Sequence, residues 1–205
     1  SGCDLSRADL RGRNLYRANL YAGNLSHANL SGANLSEVNF GWANLTKVSL
    51  EEATMEGADL RSADLSQANL SGANLSGANL IEVNLTKAYL SGADLKYANL
   101  TETYLYGANL SETNLSGANL ANAFLHRVDL AEVGITKAQL GQALLCRTIL
   151  PGGDESGCDL SRADLRGRNL YRANLDAGNL SHANLSGANL SGANLSNTNF
   201  DGANL

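Results

Sequence analysis

Apolar residues recur along this chain with a period of five. Of the 41 positions taken every fifth residue from Leu5 to Leu205, 36 are Leu and four more are Phe40, Met55, Ile135 and Phe200, leaving only Glu155 polar. Two residues before each lies a small slot, Ala in 25 of 41 cases. The residue between them is Asn or Asp in 32 of 41, and the one that follows is Ser or Thr in 20 of 40. A strand alternates with period 2 and a helix with period 3.6, so neither template fits. Two inward residues flanking an outward Asn, then two further outward residues, predict a short extended side and a corner. Asn, Asp, Ser and Gly suit such corners because they tolerate tight backbone geometry and bond their own backbone. One turn of such a coil cannot bury its own apolar face, so only stacking, at about 4.8 Å per turn, makes a core.

The run Ala-Asn-Leu-Ser-Gly-Ala-Asn-Leu within 68–80, repeated within 183–195, resembles the pentapeptide repeat family, whose motif is A(D/N)LXX. The resemblance covers nearly the whole chain. It implies an all-β fold, a right-handed quadrilateral β-helix with four pentapeptides per coil and Leu and Ala inward. On that basis the chain makes about ten coils and a rod of roughly 50 Å.

The motif lapses over 131–155, where Gly134, Gln139, Leu144 and Ile149 replace Asn or Asp and Glu155 replaces Leu. Thr136 is expected to N-cap a short helix running to about Cys146, with Leu140, Ala143 and Leu144 on one face. Pro151-Gly152-Gly153-Asp154-Glu155 reads as a turn or linker. Three segments follow: a β-helix over 1–133, a cap-like helix and linker over 134–155, and a second short repeat segment over 156–205. Residues 156–190 match 1–35 at 34 of 35 positions, differing only as Tyr21 against Asp176. Slippage between near-identical repeats and an engineered copy both account for this. The offset of 155 residues is 31 pentapeptides, which is not a multiple of four, so uninterrupted coiling would put the copies on different faces. The second segment is expected to stack on the first, directly or through the linker.

Composition narrows the chemistry. No charged leader with an apolar core and no membrane-length apolar run occurs, so a cytoplasmic location without membrane contact is expected. Three cysteines, Cys3, Cys146 and Cys158, lack CxxC spacing and argue against a disulfide framework or a zinc site, in keeping with a reducing compartment. Cys3 and Cys158 occupy the small inward slot and read as packing residues. Arg13 and Arg168 occupy that same slot, where an unpaired charge is expensive. Both are expected near a coil end where the guanidinium escapes to solvent, with an anion site as the alternative. No GxSxG, GxGxxG or phosphate-loop motif occurs, and His27, His126 and His182 read as solvent-facing structural residues. No catalytic residue, cofactor or metal is therefore expected.

Charge is uneven. The net charge is −5, yet residues 18–161 carry 7 basic against 15 acidic groups, a net of −8, while the two copies hold Arg7, Arg11, Arg13, Arg17, Arg162, Arg166, Arg168 and Arg172. Glu51, Glu52, Glu56, Asp59 and Asp64 form the densest cluster, a candidate acidic face. The resemblance makes this relevant, because some pentapeptide repeat proteins mimic DNA and bind type II topoisomerases. Duplex DNA carries about one charge per 1.7 Å, so a roughly 34 Å body would need on the order of 20 negative charges. That body, residues 18–161, offers −8.

Outward aromatics give a second candidate surface. Tyr104, Phe124 and Leu144 hold the Asn slot at 20-residue steps, so four-fold coils align them, with Tyr106 flanking and Tyr89 and Tyr97 on adjacent sides. Contiguous exposed apolar surface marks an interface; the alternative is that 134–150 covers the stripe as a cap. Trp42 reads as an isolated, incidental aromatic. The residues thus favour a non-catalytic scaffold or protein-interaction solenoid with a protein partner, or end-to-end or face-to-face homo-oligomerisation, and no direct contact with nucleic acid. A topoisomerase-binding DNA mimic is the alternative, and a hydrolase using surface Ser or His has no motif behind it.

Overall fold

The computed structural model describes residues 2–168, 170, 173 and 175–205; Arg172 lies outside the described residues. Over 3–125 each pentapeptide folds as a three-residue side followed by a two-residue corner. At the corner the inward Leu carbonyl accepts from the small residue three positions on, as from the Ala28 N–H to Leu25 at 3.0 Å. This closure puts the second corner residue in the left-handed region, for instance Gly72 at φ 67° and His27 at φ 60°. The conformation costs a non-glycine residue roughly 1 kcal/mol. The Asn slot offsets that locally: its Oδ1 accepts the first corner N–H, as Ser31 N–H to Asn29 at 3.1 Å. Asn is therefore the brace of each corner as well as an outward residue.

Parallel bridges join residues 20 apart on all four sides, among them Asn24 with Asn44, Asn29 with Ser49, Asn34 with Thr54 and Asn39 with Asp59. Four pentapeptides thus close each turn of a β-helix. The inward columns make one continuous core in which Leu30, Ala33, Leu35, Phe40, Met55 and their successors through Leu130 are buried. Where Thr takes the Ala slot, its hydroxyl is satisfied inside the wall: Thr103 and Thr113 donate to the Leu80 and Leu90 carbonyls at 2.7 and 2.8 Å, and Thr148 donates to Leu125.

The helix expected from Thr136 to Cys146 is much shorter. It spans only Lys137–Leu140 (α1), with Thr136 and Gln139 forming a capping box. Gln139 also donates to the Leu115 and Ala118 carbonyls at 2.8 and 3.1 Å, closing backbone left open at the end of the stack. The chain then returns to the ladder, since Leu144 N–H donates to the Ala123 carbonyl. Strand Leu144–Cys146 (β2) pairs in parallel with strand Phe124–His126 (β1). Strand pairing displaces helix here because the β-helix edge supplies ready partners. The first ladder accordingly runs past residue 133, to the Asp129–Ile149 bridge.

At Pro151 the chain reverses. Leu150 N–H donates to the Asp154 carbonyl at 2.7 Å, and Ile149–Glu155 and Cys146–Cys158 are antiparallel bridges. This corrects the reading of the cysteines: Cys146 and Cys158 form a disulfide across the hairpin, with Cα atoms 4.0 Å apart, and only Cys3 is free. A hairpin brings together two thiols whose sequence spacing matches no metal or redox motif. A second 20-residue ladder begins at Asp159–Asn179 and ends at Asn184–Asn204. It does not continue the first. Its core, Leu160, Leu165, Leu170, Leu175, Leu180 and Leu185, takes in Phe124 and Cys146 from the side of the first stack. Among the described residues no helix is long and apolar enough to cross a membrane.

Candidate functional site

The junction of the two stacks is the most elaborated surface in the molecule. Its floor is one side of the first stack, where Tyr104, Phe124 and Leu144 succeed Asn84 in a single bridged column. Tyr106, His126 and Cys146 form the corner column beside it, with Tyr106 edge-on to His126 at 5.0 Å. Because the upper residues are apolar, the column offers a greasy seat instead of the usual Asn brace. The first turn of the second stack covers it: Phe124 is only 6 % exposed and shares a core with Leu160, Leu165 and Leu170. The stripe is thus neither free nor capped by 134–150, which instead contributes Leu144 to it.

Polar contacts frame the apolar centre. The Arg168 guanidinium donates to the Tyr104 hydroxyl at 2.7 Å and to the Glu102 carboxylate at 2.5 Å, and lies over the Tyr104 ring at 5.1 Å. Burial opposes its charge, but the Tyr104 and Glu102 oxygens still raise its pKa above the usual value. Burial likewise raises the Tyr104 hydroxyl, against the pull of Arg168. The Arg pair in the Ala slot therefore splits. Arg13 is exposed near the end of the first stack, as expected, whereas Arg168 does not escape to solvent but anchors the junction. On the far edge, Arg147 faces Asp176.

His126 corrects a second reading, for it is fully buried and neither ring nitrogen has a hydrogen-bond partner among the described residues. Burial first, then the charges of Arg127 and Arg147, lower its pKa to about 4, so the ring is neutral near pH 7. A cleft of about 290 Å³ opens beside it, walled by Tyr104, Tyr106, Phe124, Asp64, Asn84 and Leu170.

The remaining candidates are not brought together. Tyr89 is exposed on the side next to Tyr104, bridged to Asn69 and Asn109. Tyr97, 67 % exposed, lies on the corner diagonally across the rod from Tyr106, lying over Gly117. Trp42 is not isolated: with Tyr21, Arg61 and Ile81 it lines a groove of about 390 Å³ along another corner. Glu51, Glu52, Glu56, Asp59 and Asp64 fall within a single turn, because the ladder repeats only after 20 residues. They are spread over two corners and two sides of that turn instead of sharing a face. Asp59 is moreover paired with Arg61 at 2.6 Å, which holds its carboxyl below the usual range. Among the described residues no His, Cys, Asp and Glu group could hold a metal ion.

The chain matches the family model described as pentapeptide repeats over 1–40, 14–51, 24–61, 39–77, 58–96, 73–111, 108–147, 138–175 and 169–205. Among solved structures it is similar to HetL, a pentapeptide repeat protein involved in heterocyst differentiation regulation from the cyanobacterium Nostoc sp. strain PCC 7120. The identity is 34 % over 96 % of this chain and 91 % of that one, with a TM-score of 0.36. It is also similar to the pentapeptide repeat protein Rfr23 from the cyanobacterium Cyanothece 51142, at 35 % identity over 57 % and 83 % of the two chains and a TM-score of 0.30. QnrB1, a plasmid-mediated fluoroquinolone resistance protein, matches at 18 % identity over 98 % and 92 %, with a TM-score of 0.45. No curated protein matches.

Proposed function

We propose that this chain, which belongs to the pentapeptide repeat family, is a non-catalytic scaffold that binds folded protein through the sides of its rod. One observation carries the reading: the Tyr104–Phe124–Leu144 column holds a folded body, the second stack, through an apolar centre and a charged rim. The repeat makes such a seat by a single kind of change, replacing the Asn brace with an aromatic or aliphatic residue while the ladder behind it stays unaltered. Exposed outward aromatics elsewhere, Tyr89, Tyr97 and Trp42 with Tyr21, are then the places for partners, because aromatic anchors dominate protein interfaces. The serines and histidines do not support hydrolysis. Corner serines such as Ser31, Ser36 and Ser71 donate to their own Asn brace, and His126 is sealed from solvent. Against the DNA-mimic alternative, Glu51, Glu52, Glu56, Asp59 and Asp64 do not line one side.

Photo-crosslinking tests the reading. A photoreactive residue at Tyr97, Tyr89 or Trp42 is expected to capture a recurrent protein in the source cell, while one at Ser76 does not. Equal labelling at all four positions would sink the scaffold reading. Inhibition of gyrase supercoiling at low micromolar protein would favour the mimic instead.

A further inference from the structure

The seat on the first stack is filled by a sequence that the chain contains twice. The docked turn begins Gly157-Cys158-Asp159-Leu160 and carries Arg168 and Leu170; the same order stands at Gly2-Cys3-Asp4-Leu5 with Arg13 and Leu15. The two turns also share contacts at their described residues. Asn24 N–H donates to the Cys3 carbonyl at 2.9 Å and Asn179 N–H to that of Cys158 at 2.8 Å. Each cysteine Sγ lies 3.3 Å from the Cβ position of its glycine neighbour, Gly23 or Gly178. Their environments differ. Leu160, Leu165 and Leu170 are buried at the junction, whereas Leu5, Leu10 and Leu15 are half-buried, Arg13 is exposed and Cys3 is a free, exposed thiol.

We propose that residues 2–22 of one copy of this chain exchange for residues 157–177 on the seat of a second copy, so that the protein self-associates through duplicated turns. In the exchanged contact Arg13 takes the place of Arg168 on Glu102 and Tyr104, and Leu5, Leu10 and Leu15 close over Phe124 and Leu144. Cys3 is then brought against the Cys146–Cys158 disulfide, in line with the S–S bond on the side of Cys146 away from Cys158. Its thiolate attacks the Cys146 Sγ; a Cys3–Cys146 disulfide forms as the Cys146–Cys158 bond breaks, and Cys158 leaves as a thiolate that takes up the proton Cys3 gave up. The exchange consumes no oxidant. Because the contact joins one end of a rod to the side of another, it is heterologous and grows into open chains unless two copies exchange reciprocally.

Two features favour the closed form. The short connection gives the second stack an effective concentration on the order of millimolar, and the exchanged contact loses the Arg147–Asp176 pair because Tyr21 stands in the donor turn. Self-association is therefore expected near millimolar protein, with the disulfide trapping it at lower concentration. The inference uses the same seat as the proposed function but needs no outside partner, so a failed capture of cellular protein leaves it standing.

The test is incubation of the whole chain at high concentration and pH 8.5 without reductant, followed by alkylation, a non-reducing gel and tryptic mapping. The expected result is a ladder of dimers and higher species containing peptide 1–7 linked to peptide 138–147. Cys3→Ser abolishes the ladder, and Arg13→Ala lowers its yield several-fold where Arg7→Ala does not; all three positions are exposed, so folding is retained. A chain that stays monomeric with only 138–147 linked to 148–162, any other cysteine pairing as the main product, or a yield indifferent to Arg13→Ala overturns the proposal.

Discussion

The Arg147 guanidinium lies 3.7 Å from the Asp176 carboxylate and donates to the Asp176 carbonyl at 3.3 Å, at the single position where 156–190 departs from 1–35. The one difference between two otherwise identical modules therefore falls where the second copy meets the first stack. In the first copy Tyr21 instead covers Gly41, its ring 3.2 Å from that glycine's Cβ position. Restoring the first-copy residue with Asp176→Tyr removes the half-buried ion pair while leaving the repeat core alone. The expected loss is about 1 kcal/mol or less, read as faster cleavage by a glutamyl endopeptidase at Glu155. Unchanged cleavage would mean that the pair does not hold the junction.

His126 makes stability depend on pH. Its folded pKa of about 4 lies below the ordinary 6.5, so between those values the unfolded chain binds the proton first. Stability then rises with pH through this window: the contribution is fully present above pH 6.5 and is lost as the pH falls towards 4. The span corresponds to at most roughly 3 kcal/mol. His126→Phe keeps an aromatic ring against Tyr106 and Phe124 and removes the titration. The melting temperature of the parent chain is expected to fall between pH 6.5 and 4, and that of the variant to fall less. Parallel curves would show that the ring stays solvated.

The fold was legible because most pentapeptides carry their own complete signal: an inward Leu, a small inward neighbour, an Asn or Asp brace and a corner. The junction was not, because it is made by residues distant in sequence. Arg168 in the Ala slot and Tyr104 in the Asn slot are each visible as exceptions, yet nothing local says that a residue 64 positions later answers the earlier one. The disulfide escaped for a related reason. Pairing Cys146 with Cys158 requires the Pro151 reversal, and the third thiol, Cys3, is the repeat copy of Cys158. The acidic cluster misled because closeness in sequence, within one 20-residue turn, spreads side chains around the rod; only residues 20 apart share a side.

Phe124→Asn returns the seat to the repeat consensus. The new side chain can brace its corner as Asn84 does for Thr86, at 3.1 Å, so the first stack is expected to keep its stability. The second stack loses the ring that closes its core, a change worth several kcal/mol when a buried Phe is removed. Calorimetry or hydrogen exchange is expected to show residues 159–205 losing protection while 20–110 retain it. A uniform loss over both stacks would mean that the two cores unfold as one.

Arg13 and Arg168 give the molecule its own internal control, since they share a sequence context and differ only in what faces them. Arg168→Ala removes charge-assisted hydrogen bonds to Tyr104 and Glu102 and leaves Glu102 beside a half-buried phenol. A loss of about 1.5–3 kcal/mol is expected. Arg13→Ala removes a side chain in solvent, and such changes stay within about 0.5 kcal/mol. Denaturant unfolding of dilute protein, where copies do not meet, measures both. Equal effects would place the role of arginine in the turn itself, because the turn is all that the two positions have in common.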